Sequence, residues 1–316
     1  MSANEVRVVV PPPLSAARLS GLKGGQRISV CLPARNEAAT IGPICETIAD
    51  ELMGGHGLVD ELLVLDDGSS DGTAAVARAA GAEVISAADV LPELGPRRGK
   101  GAVLWASVAA CSGDIIVWCD SDLQAFDAGY VKGLVSPLLH DHALQLIKGY
   151  YLRQEDELGR GGGRTTELMA RPLLSRWFPP LATLRQPLGG ECAARRDLLE
   201  RLPFVESYGV EIGLMIDSAA LVGVDAMAQV DLGVRLHRHR TLLELSEQAG
   251  EILDVVVERI GLDPAGDSRL IRGDGKVVDT DRTELPAMLE VPAYVESRRT
   301  RCPLGRPEPG AARAEA

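Results

Sequence analysis

The stretch from residue 28 to residue 37 reads ISVCLPARNE, a mostly apolar run followed by a polar turn. A short apolar run of this kind predicts a buried β-strand over residues 28–32. After the turn, isoleucine and leucine recur at spacings of three and four residues from Ile41 to Leu52, which predicts a helix with one buried face. This part of the chain is therefore a strand–turn–helix unit whose turn carries polar side chains.

The same unit recurs in the residues that follow. Further apolar runs predict strands at 61–65, 82–86 and 115–119, with a helix at 74–80 and another that ends near residue 110. The second strand of the chain ends in DDGSSDG, and the fourth ends in DSD. Strands that alternate with helices in this way predict an α/β fold with a mostly parallel sheet.

Changes in composition divide the chain into four parts. Residues 1–25 contain three consecutive prolines and a Gly-Gly pair, so we expect a mobile leader there. Residues 26–125 carry the regular α/β pattern, and residues 126–264 form a less regular second half. Residues 265–316 are rich in charge and proline, which predicts a C-terminal extension with a disordered end.

The composition limits the class of protein. The 316 residues carry 45 acidic and 33 basic side chains, and this net charge of −12 is unlike the basic surface of a nucleic-acid-binding protein. No apolar run approaches the roughly 20 residues of a membrane-spanning helix, and prolines interrupt the N-terminal apolar run before it could act as a signal peptide. The six cysteines form no Cys-x-x-Cys pair, so we predict a reduced, cytoplasmic protein without a zinc ribbon.

Acidic and amide side chains follow three of the predicted strands. In open α/β sheets, ligands bind at the carboxyl ends of the strands, so we expect these side chains to face one cleft. A diphosphate that binds with a divalent cation needs hard oxygen ligands, which a carboxylate at a strand end supplies. A single Asp-x-Asp is equally typical of an ordinary turn, but three polar strand ends in this order favour a ligand site.

A basic, glycine-rich loop precedes the helix that ends near residue 110. It places Arg97, Arg98 and Lys100 around Gly99 and Gly101. Positive side chains and free backbone N–H groups at a helix N-terminus suit a phosphate group. On composition alone, a solvated charged loop explains these residues slightly better.

Two sets of motifs resemble known proteins. The order strand, PAxNE, strand, DDGSxD, strand, DSD resembles the nucleotide-binding half of GT-A glycosyltransferases. In the second half, four motifs are similar to signatures of the glucosyl-3-phosphoglycerate synthases, the first of them in two parts, and this resemblance spans about residues 27–260. They are GGGRTTEL at 161–168, ARPLL at 170–174, QPLGGE at 186–191, YGVEIG at 208–213 and GVRLHR at 233–238.

The resemblance implies a site for a nucleotide-sugar donor in the first half. It implies a divalent cation, Mg²⁺ or Mn²⁺, held by Asp122 and His237 and bridging the donor's diphosphate. Without the resemblance, His237 is more simply explained as a packed or surface histidine. The residues that the resemblance assigns to the donor are Pro33, Ala34, Arg35, Asn36, Glu37, Asp67, Lys100, Asp120, Ser121 and Asp122.

The second half is expected to hold a small, anionic, phosphorylated acceptor. A glycine triplet before a helix leaves backbone N–H groups uncovered, and Arg164 can add a two-pronged donor, so the two together suit phosphate or carboxylate. An ordinary flexible loop is the alternative. The resemblance assigns the acceptor to Gly163, Arg164, Thr166 and His239. It assigns the reaction centre to Glu211, Arg235 and Asp120, although Glu211 could simply be an acid favoured by a helix N-terminus.

The implied reaction is transfer of glucose from UDP-glucose to 3-phosphoglycerate with retained configuration, by a protein that the resemblance suggests is a homodimer. Two departures from the family pattern bear on it: His239 stands where the family usually has Asn, and Arg35 stands where an apolar residue is common. A different donor such as GDP-mannose, or a different phosphorylated acceptor, is the first alternative. A catalytically silent nucleotide-sugar-binding protein is the second, and the intact polar residues argue against it.

Overall fold

An eight-stranded sheet lies at the centre of the protein. It is seen in a computed structural model that describes residues 5–97, 99–153, 163–235, 241–262, 269–279 and 283–301. The strands of the described residues, in chain order, are β1 Arg7–Val9, β2 Ile28–Ala34, β3 Glu61–Asp66, β4 Glu83–Ser86, β5 Ile115–Trp118, β6 Leu146–Arg153, β7 Cys192–Arg195, β8 Phe204–Val205, β9 Met227–Arg235, β10 Arg269–Ile271, β11 Val277–Asp279 and β12 Glu284–Leu285.

The central sheet has the order β1-β9-β6-β7-β5-β2-β3-β4. Only β7 runs antiparallel to its neighbours β5 and β6, and every other neighbouring pair in this sheet is parallel. The mostly parallel α/β sheet predicted from the sequence is therefore confirmed. Two small antiparallel pairs, β10 with β11 and β8 with β12, lie outside it.

Helices cover both faces of the sheet. In chain order the α-helices of the described residues are α1 Ala16–Leu22, α2 Ile41–Leu52, α3 Thr73–Ala79, α4 Gly99–Ala110, α5 Gly129–His140, α6 Arg171–Trp177, α7 Arg196–Leu199, α8 Val210–Val222, α9 Leu242–Arg259 and α10 Pro292–Arg301. A π-helical turn, Thr166–Ala170, leads directly into α6.

The strands read as continuous apolar runs because both of their faces are buried. In β5, Ile116 and Trp118 face the core that contains α4, α8 and α9, whereas Ile115 and Val117 face the core that contains α1, α2 and α5. Each core is filled mainly by aliphatic side chains, as the 3% aromatic content requires.

The leader expected to be mobile is instead packed over its described part. Residues 7–9 form an edge strand that pairs with β9, and α1 buries Leu19. Lys23, at the end of α1, donates to the Leu58 carbonyl at 3.2 Å and lies 2.8 Å from Asp60. The three prolines at 11–13 come just after this strand, and the strand is stabilised by pairing with a distant segment, so the local sequence pattern did not predict it.

The C-terminal extension is also packed where it is described. The β12 strand pairs with β8, and Trp105 donates from its indole nitrogen to the Pro286 carbonyl at 2.8 Å. Arg298 of α10 lies 2.5 Å from the buried carboxylate of Glu200. The expected disorder of the chain end falls on residues outside those described. Among the described residues, no helix is both long enough and apolar enough to span a membrane.

Candidate active site

The ends of β2 and β5 are joined by hydrogen bonds. The Ser121 hydroxyl donates to the Pro33 carbonyl at 2.7 Å, and the Thr40 hydroxyl donates to the Ser121 carbonyl at 2.7 Å. These bonds hold the DSD turn against the PARNE turn. The two motifs therefore line one edge of the sheet, as their position after parallel strands predicts.

The ends of β2 and β3 are joined through Asn36. This residue adopts the left-handed conformation, with φ of 58°, which asparagine tolerates better than most residues. Its backbone N–H donates to the Ser69 hydroxyl at 2.9 Å, and its side-chain oxygen accepts from the Ser70 N–H at 2.9 Å. Asn36 therefore shapes the PARNE turn and fixes it to the DDGSSDG turn.

Arg35 and Asp67 face each other across the same two turns, with 3.3 Å between their charged groups. Arg35 is largely exposed, whereas Asp67 is mostly covered. Burial raises the pKa of Asp67 above its usual range, although Arg35 acts in the opposite direction. Asp67 is thus a covered carboxylate at the mouth of a cleft.

A cavity of about 390 Å³ opens beside Asp67. It is lined by the end of β3, by Ala102 and Val103 of α4, and by seven residues of the segment from the end of β4 to α4: Ser86, Ala87, Ala88, Pro92, Gly95, Pro96 and Arg97. Its volume lies within the range of small-molecule binding sites, and its lining is both polar and apolar.

Lys100 stands at the centre of the site, in the first turn of α4. Its ammonium nitrogen lies 2.8 Å from Asp120, which follows β5, and 2.7 Å from Glu211, in the first turn of α8. Burial alone would lower the pKa of Lys100, but the two carboxylates, Asp120 first, hold it well above its usual range. Lys100 is therefore a fixed cation that joins the two halves of the chain.

Glycine is required at two positions where segments around Lys100 come into close contact. A side chain at Gly190 would collide with the Asp120 carboxylate, and one at Gly101 would collide with the Val205 carbonyl. The sequence analysis quoted Gly190 only as part of a motif and Gly101 only as part of the basic loop. The sequence alone does not show that glycine is needed at either position, because each need arises from a contact with a distant segment.

Lys148 is a buried group that the sequence analysis did not single out. It lies on β6 with 2% of its surface exposed, and its ammonium donates to the Gly189 carbonyl, next to Gly190. A buried lysine must find a partner, because an isolated buried charge is costly. In the sequence it stands within an ordinary strand pattern, which carries no sign of this contact.

Arg97 does not join Lys100 at the two carboxylates. Its guanidinium donates to the Val90 carbonyl and to the Leu91 carbonyl, the latter at 3.2 Å. It also lies 4.8 Å from the centre of the Trp105 ring. The helix that was predicted to follow this loop begins within it, at Gly99, and Arg98 lies outside the described residues.

Of the residues predicted to bind the acceptor, those that the structure describes lie at the beginning of the π-helical turn. Gly163 and Arg164 precede it, Arg164 is exposed, and Thr166 is its buried first residue. Arg171 anchors the turn: it pairs with Glu167 at 2.8 Å and donates to the carbonyls of Ala182, Leu184 and Arg185.

Part of the expected metal and acceptor site falls outside the described residues. This applies to His237, His239 and the glycines at 161 and 162, and to the side chain of Arg235. Asp122 is half-buried after β5, on the same turn as Asp120. Within the described part of the chain, no group of three or more histidine, cysteine or acidic side chains could hold a metal ion, so Asp122 would need a ligand from elsewhere.

Comparison with known proteins places this geometry in a family. Residues 29–202 match the model described as glycosyl transferase family 2. A glucosyl-3-phosphoglycerate synthase of Mycolicibacterium smegmatis is 48% identical over 259 residues, which are 81% of this chain and 84% of that protein. One from Petrotoga mobilis is 44% identical over 238 residues, 74% of this chain and 73% of that protein. The chain belongs to the glucosyl-3-phosphoglycerate synthase family.

Solved structures of the family share the fold. A crystal structure of glucosyl-3-phosphoglycerate synthase from Mycobacterium tuberculosis, in complex with Mn²⁺, UDP-glucose and phosphoglyceric acid, matches with a TM-score of 0.84 and 43% identity. The match covers 91% of this chain and 99% of that one. Another, in complex with Mn²⁺, UDP and glucosyl-3-phosphoglycerate, matches with a TM-score of 0.79 and 42% identity, over 90% of this chain and 99% of that one. The chain is thus a glycosyltransferase with the GT-A fold.

The glycosyl transferase family 2 model ends at residue 202, before β8 and α8. Glu211 therefore reaches Lys100 from a part of the chain that this model does not cover. The similarity to the glucosyl-3-phosphoglycerate synthases extends much further, since each of these matched regions is more than 230 residues long.

Proposed function

We propose that this enzyme transfers glucose from UDP-glucose to 3-phosphoglycerate, giving glucosyl-3-phosphoglycerate and UDP with retained anomeric configuration. The observation that carries the proposal is Lys100, which is bonded to both Asp120 and Glu211 and stands in the first turn of α4, the helix that also lines the cavity beside Asp67. In the family, the crystal structure of a relative with 43% identity is a complex with Mn²⁺, UDP-glucose and phosphoglyceric acid together.

The first half of the chain would bind the donor. The base would enter the cavity beside Asp67, whose carboxylate would accept a hydrogen bond from a ring N–H. The PARNE turn, from Pro33 to Glu37, and the DSD turn would surround the ribose and the diphosphate. Lys100 would face the donor as a fixed positive charge, since its pKa is held high by its two carboxylate partners.

We propose Asp122 and His237 as the protein ligands of the divalent cation. A carboxylate oxygen and an imidazole nitrogen both suit Mn²⁺, and the carboxylate also suits Mg²⁺. When bound, the cation would neutralise the negative charge of the departing diphosphate. Asp122 is suited to this by its place on the strand-end turn that also carries Asp120.

The second half would bind the acceptor at Gly163, Arg164 and Thr166, with His239 nearby. Arg164 precedes a turn that Arg171 anchors through an ion pair and three carbonyls, so its backbone has a fixed position. A guanidinium can bind a phosphate with two parallel hydrogen bonds, which a lysine cannot copy.

Glu211 and Asp120 would orient the sugar and the ribose, and Arg235 would also act at the reaction centre. Both carboxylates already bond Lys100, which supports an orienting role more than the role of a nucleophile in double displacement. We therefore propose a front-face reaction, in which the leaving phosphate takes the proton of the acceptor's 2-hydroxyl.

Measurement of UDP release separates this proposal from its alternatives. With UDP-glucose, a divalent cation and 3-phosphoglycerate, release should depend on the acceptor and exceed hydrolysis without it. UDP release that depends on another acceptor, or release of GDP when GDP-mannose alone serves as the donor, would replace the substrates and keep the reaction class. No release with any donor and acceptor, despite tight UDP binding, would favour a silent binding protein.

We also propose a cytoplasmic homodimer. The five described cysteines, Cys31, Cys45, Cys111, Cys119 and Cys192, are all free and buried, which suits a reducing compartment. The dimer rests on the family resemblance alone. Light scattering coupled to size-exclusion chromatography would test it, and a single mass near the 33.5 kDa of one chain at all concentrations would contradict it.

A further inference from the structure

We propose that Arg97 is a positioning residue that fixes the wall of the nucleobase cavity, and that it does not bind the donor's phosphates. The inference rests on the proposed binding of a UDP-sugar donor in that cavity. It assigns to Arg97 a role different from that of Lys100, although the two cations stand three residues apart in one basic loop.

The wall in question is the segment from Ser86 to Arg97, in which Val90 and Leu91 connect the lining residues Ala88 and Pro92 without lining the cavity themselves. It contains only two short 3-10 turns, Ala87–Asp89 and Pro92–Leu94, and no α-helix or β-strand follows Ser86 until α4 begins. Such a segment makes few regular backbone hydrogen bonds, so side chains must hold its shape.

One residue of this wall is in a costly conformation. Leu91 has a φ of 50°, the left-handed region that non-glycine residues rarely occupy. Such a conformation persists only when its surroundings hold it in place. The Arg97 guanidinium donates to the Leu91 carbonyl and to the Val90 carbonyl, so it acts directly on the strained position.

The other side of Arg97 is fixed to the helix that carries Lys100. Its guanidinium lies 4.8 Å from the centre of the Trp105 ring, a cation–π distance. Trp105 is fully buried on α4, and its indole nitrogen donates to the Pro286 carbonyl at 2.8 Å. Arg97 thereby connects the cavity wall to a rigid part of α4, which sets the distance between the base and Lys100.

The geometry separates this role from phosphate binding. The guanidinium is directed at two carbonyls of the wall and at the Trp105 ring of α4, whereas Lys100 is directed at Asp120 and Glu211. A lysine at position 97 would keep the positive charge but could not fork to both carbonyls while lying flat on the ring. The effect of the positive charge can therefore be tested separately from the effect of the two hydrogen bonds and the ring contact.

The experiment measures the affinities of wild type, Arg97→Lys and Arg97→Met for UDP and for inorganic pyrophosphate, each with Mg²⁺, by calorimetry. Arg7→Met serves as the control for the loss of one positive charge, since Arg7 lies on the opposite edge strand, β1. Both Arg97 variants should lose UDP affinity about tenfold, the size expected for loss of hydrogen bonds to a charged group, while pyrophosphate affinity and the control stay near wild type.

Two results would overturn the inference. The first is wild-type UDP affinity in Arg97→Lys with weakened pyrophosphate binding in Arg97→Met, which would make Arg97 a phosphate ligand. The second is loss of folding in both variants, judged by circular dichroism, which would make Arg97 a residue of overall stability. If the wild type itself does not bind UDP, the proposed function fails instead, and the two failures are thus distinguishable.

Discussion

The ammonium nitrogen of Lys100 lies 2.8 Å from a carboxylate oxygen of Asp120. Asp120 follows β5 in the first half of the chain, and the second partner of Lys100, Glu211, begins α8 in the second half. The same cation therefore sets the spacing between the half proposed to bind the donor and the half proposed to bind the acceptor. Its loss would affect both the charge of the site and the arrangement of its two sides.

Replacement of Lys100 should impair donor binding. Lys100→Ala removes a cation with two carboxylate partners, so UDP-glucose affinity should fall by about 1–3 kcal/mol, the range for a lost charged hydrogen bond. Calorimetry with UDP measures it, and Lys276→Ala, at an exposed position outside the site, is the matched control. Unchanged UDP affinity together with a raised KM for 3-phosphoglycerate would reverse the assignment.

The contact between Gly190 and Asp120 gives a steric test with a neighbouring control. A methyl group at Gly190 would collide with the Asp120 carboxylate, whereas one at Gly189 would meet its nearest atom, an oxygen of Glu191, at 3.3 Å. Gly190→Ala should lower kcat by roughly a hundredfold, since a displacement of about 1 Å at a reacting centre can cost that much. Gly189→Ala should retain most activity. Equal effects of the two variants would show that the position of Asp120 is not critical.

Activity should depend on a divalent cation held by Asp122. Chelation should stop turnover, and added Mg²⁺ or Mn²⁺ should restore it in the wild type. Asp122→Ala should stay inactive at saturating cation and should bind Mn²⁺ more weakly in electron paramagnetic resonance titration with UDP present. Asp225→Ala removes an exposed carboxylate elsewhere and should behave as wild type. Near-normal activity of Asp122→Ala would contradict the metal assignment.

Arg164 should determine the acceptor's affinity. Arg164→Lys should raise the KM for 3-phosphoglycerate and leave UDP affinity nearly unchanged, because lysine keeps the charge but loses the two-pronged fork. The exposed Arg176 of α6 supplies the matched control, Arg176→Lys. If the wild type uses glycerate and 3-phosphoglycerate equally well, phosphate recognition at this turn is wrong.

The strands that could be predicted from the sequence are those whose apolar side chains are buried on both faces of the sheet. Strands β2, β3 and β5 are continuous apolar runs because the sheet is covered on both faces, and their ends carry polar turns. By contrast, β7 reads CAAR, which has no strand signature, and its antiparallel place between β5 and β6 depends on pairing with both. The N-terminal strand β1 was not predicted either, because it also depends on pairing with a distant strand, β9.

The residues of the site also divide into those that could be predicted from the sequence and those that could not. Lys100, Asp120 and Glu211 could be named from the family resemblance, and the structure brings them together. The roles of Gly190 and Arg97 could not be inferred from the sequence, because each depends on which distant atoms lie within contact. Arg97 and Lys100 have similar charge and neighbouring positions, yet their side chains contact different groups.

The central claim is tested most directly by the product of the purified protein. UDP-glucose, 3-phosphoglycerate and Mg²⁺ should give UDP and glucosyl-3-phosphoglycerate in equal amounts, identified by mass spectrometry. Nuclear magnetic resonance should show a glycosidic bond with the same anomeric configuration as the donor, at the 2-oxygen of the glycerate. Absence of this product, from a preparation that transfers sugar to a different acceptor or from a different donor, would contradict the account.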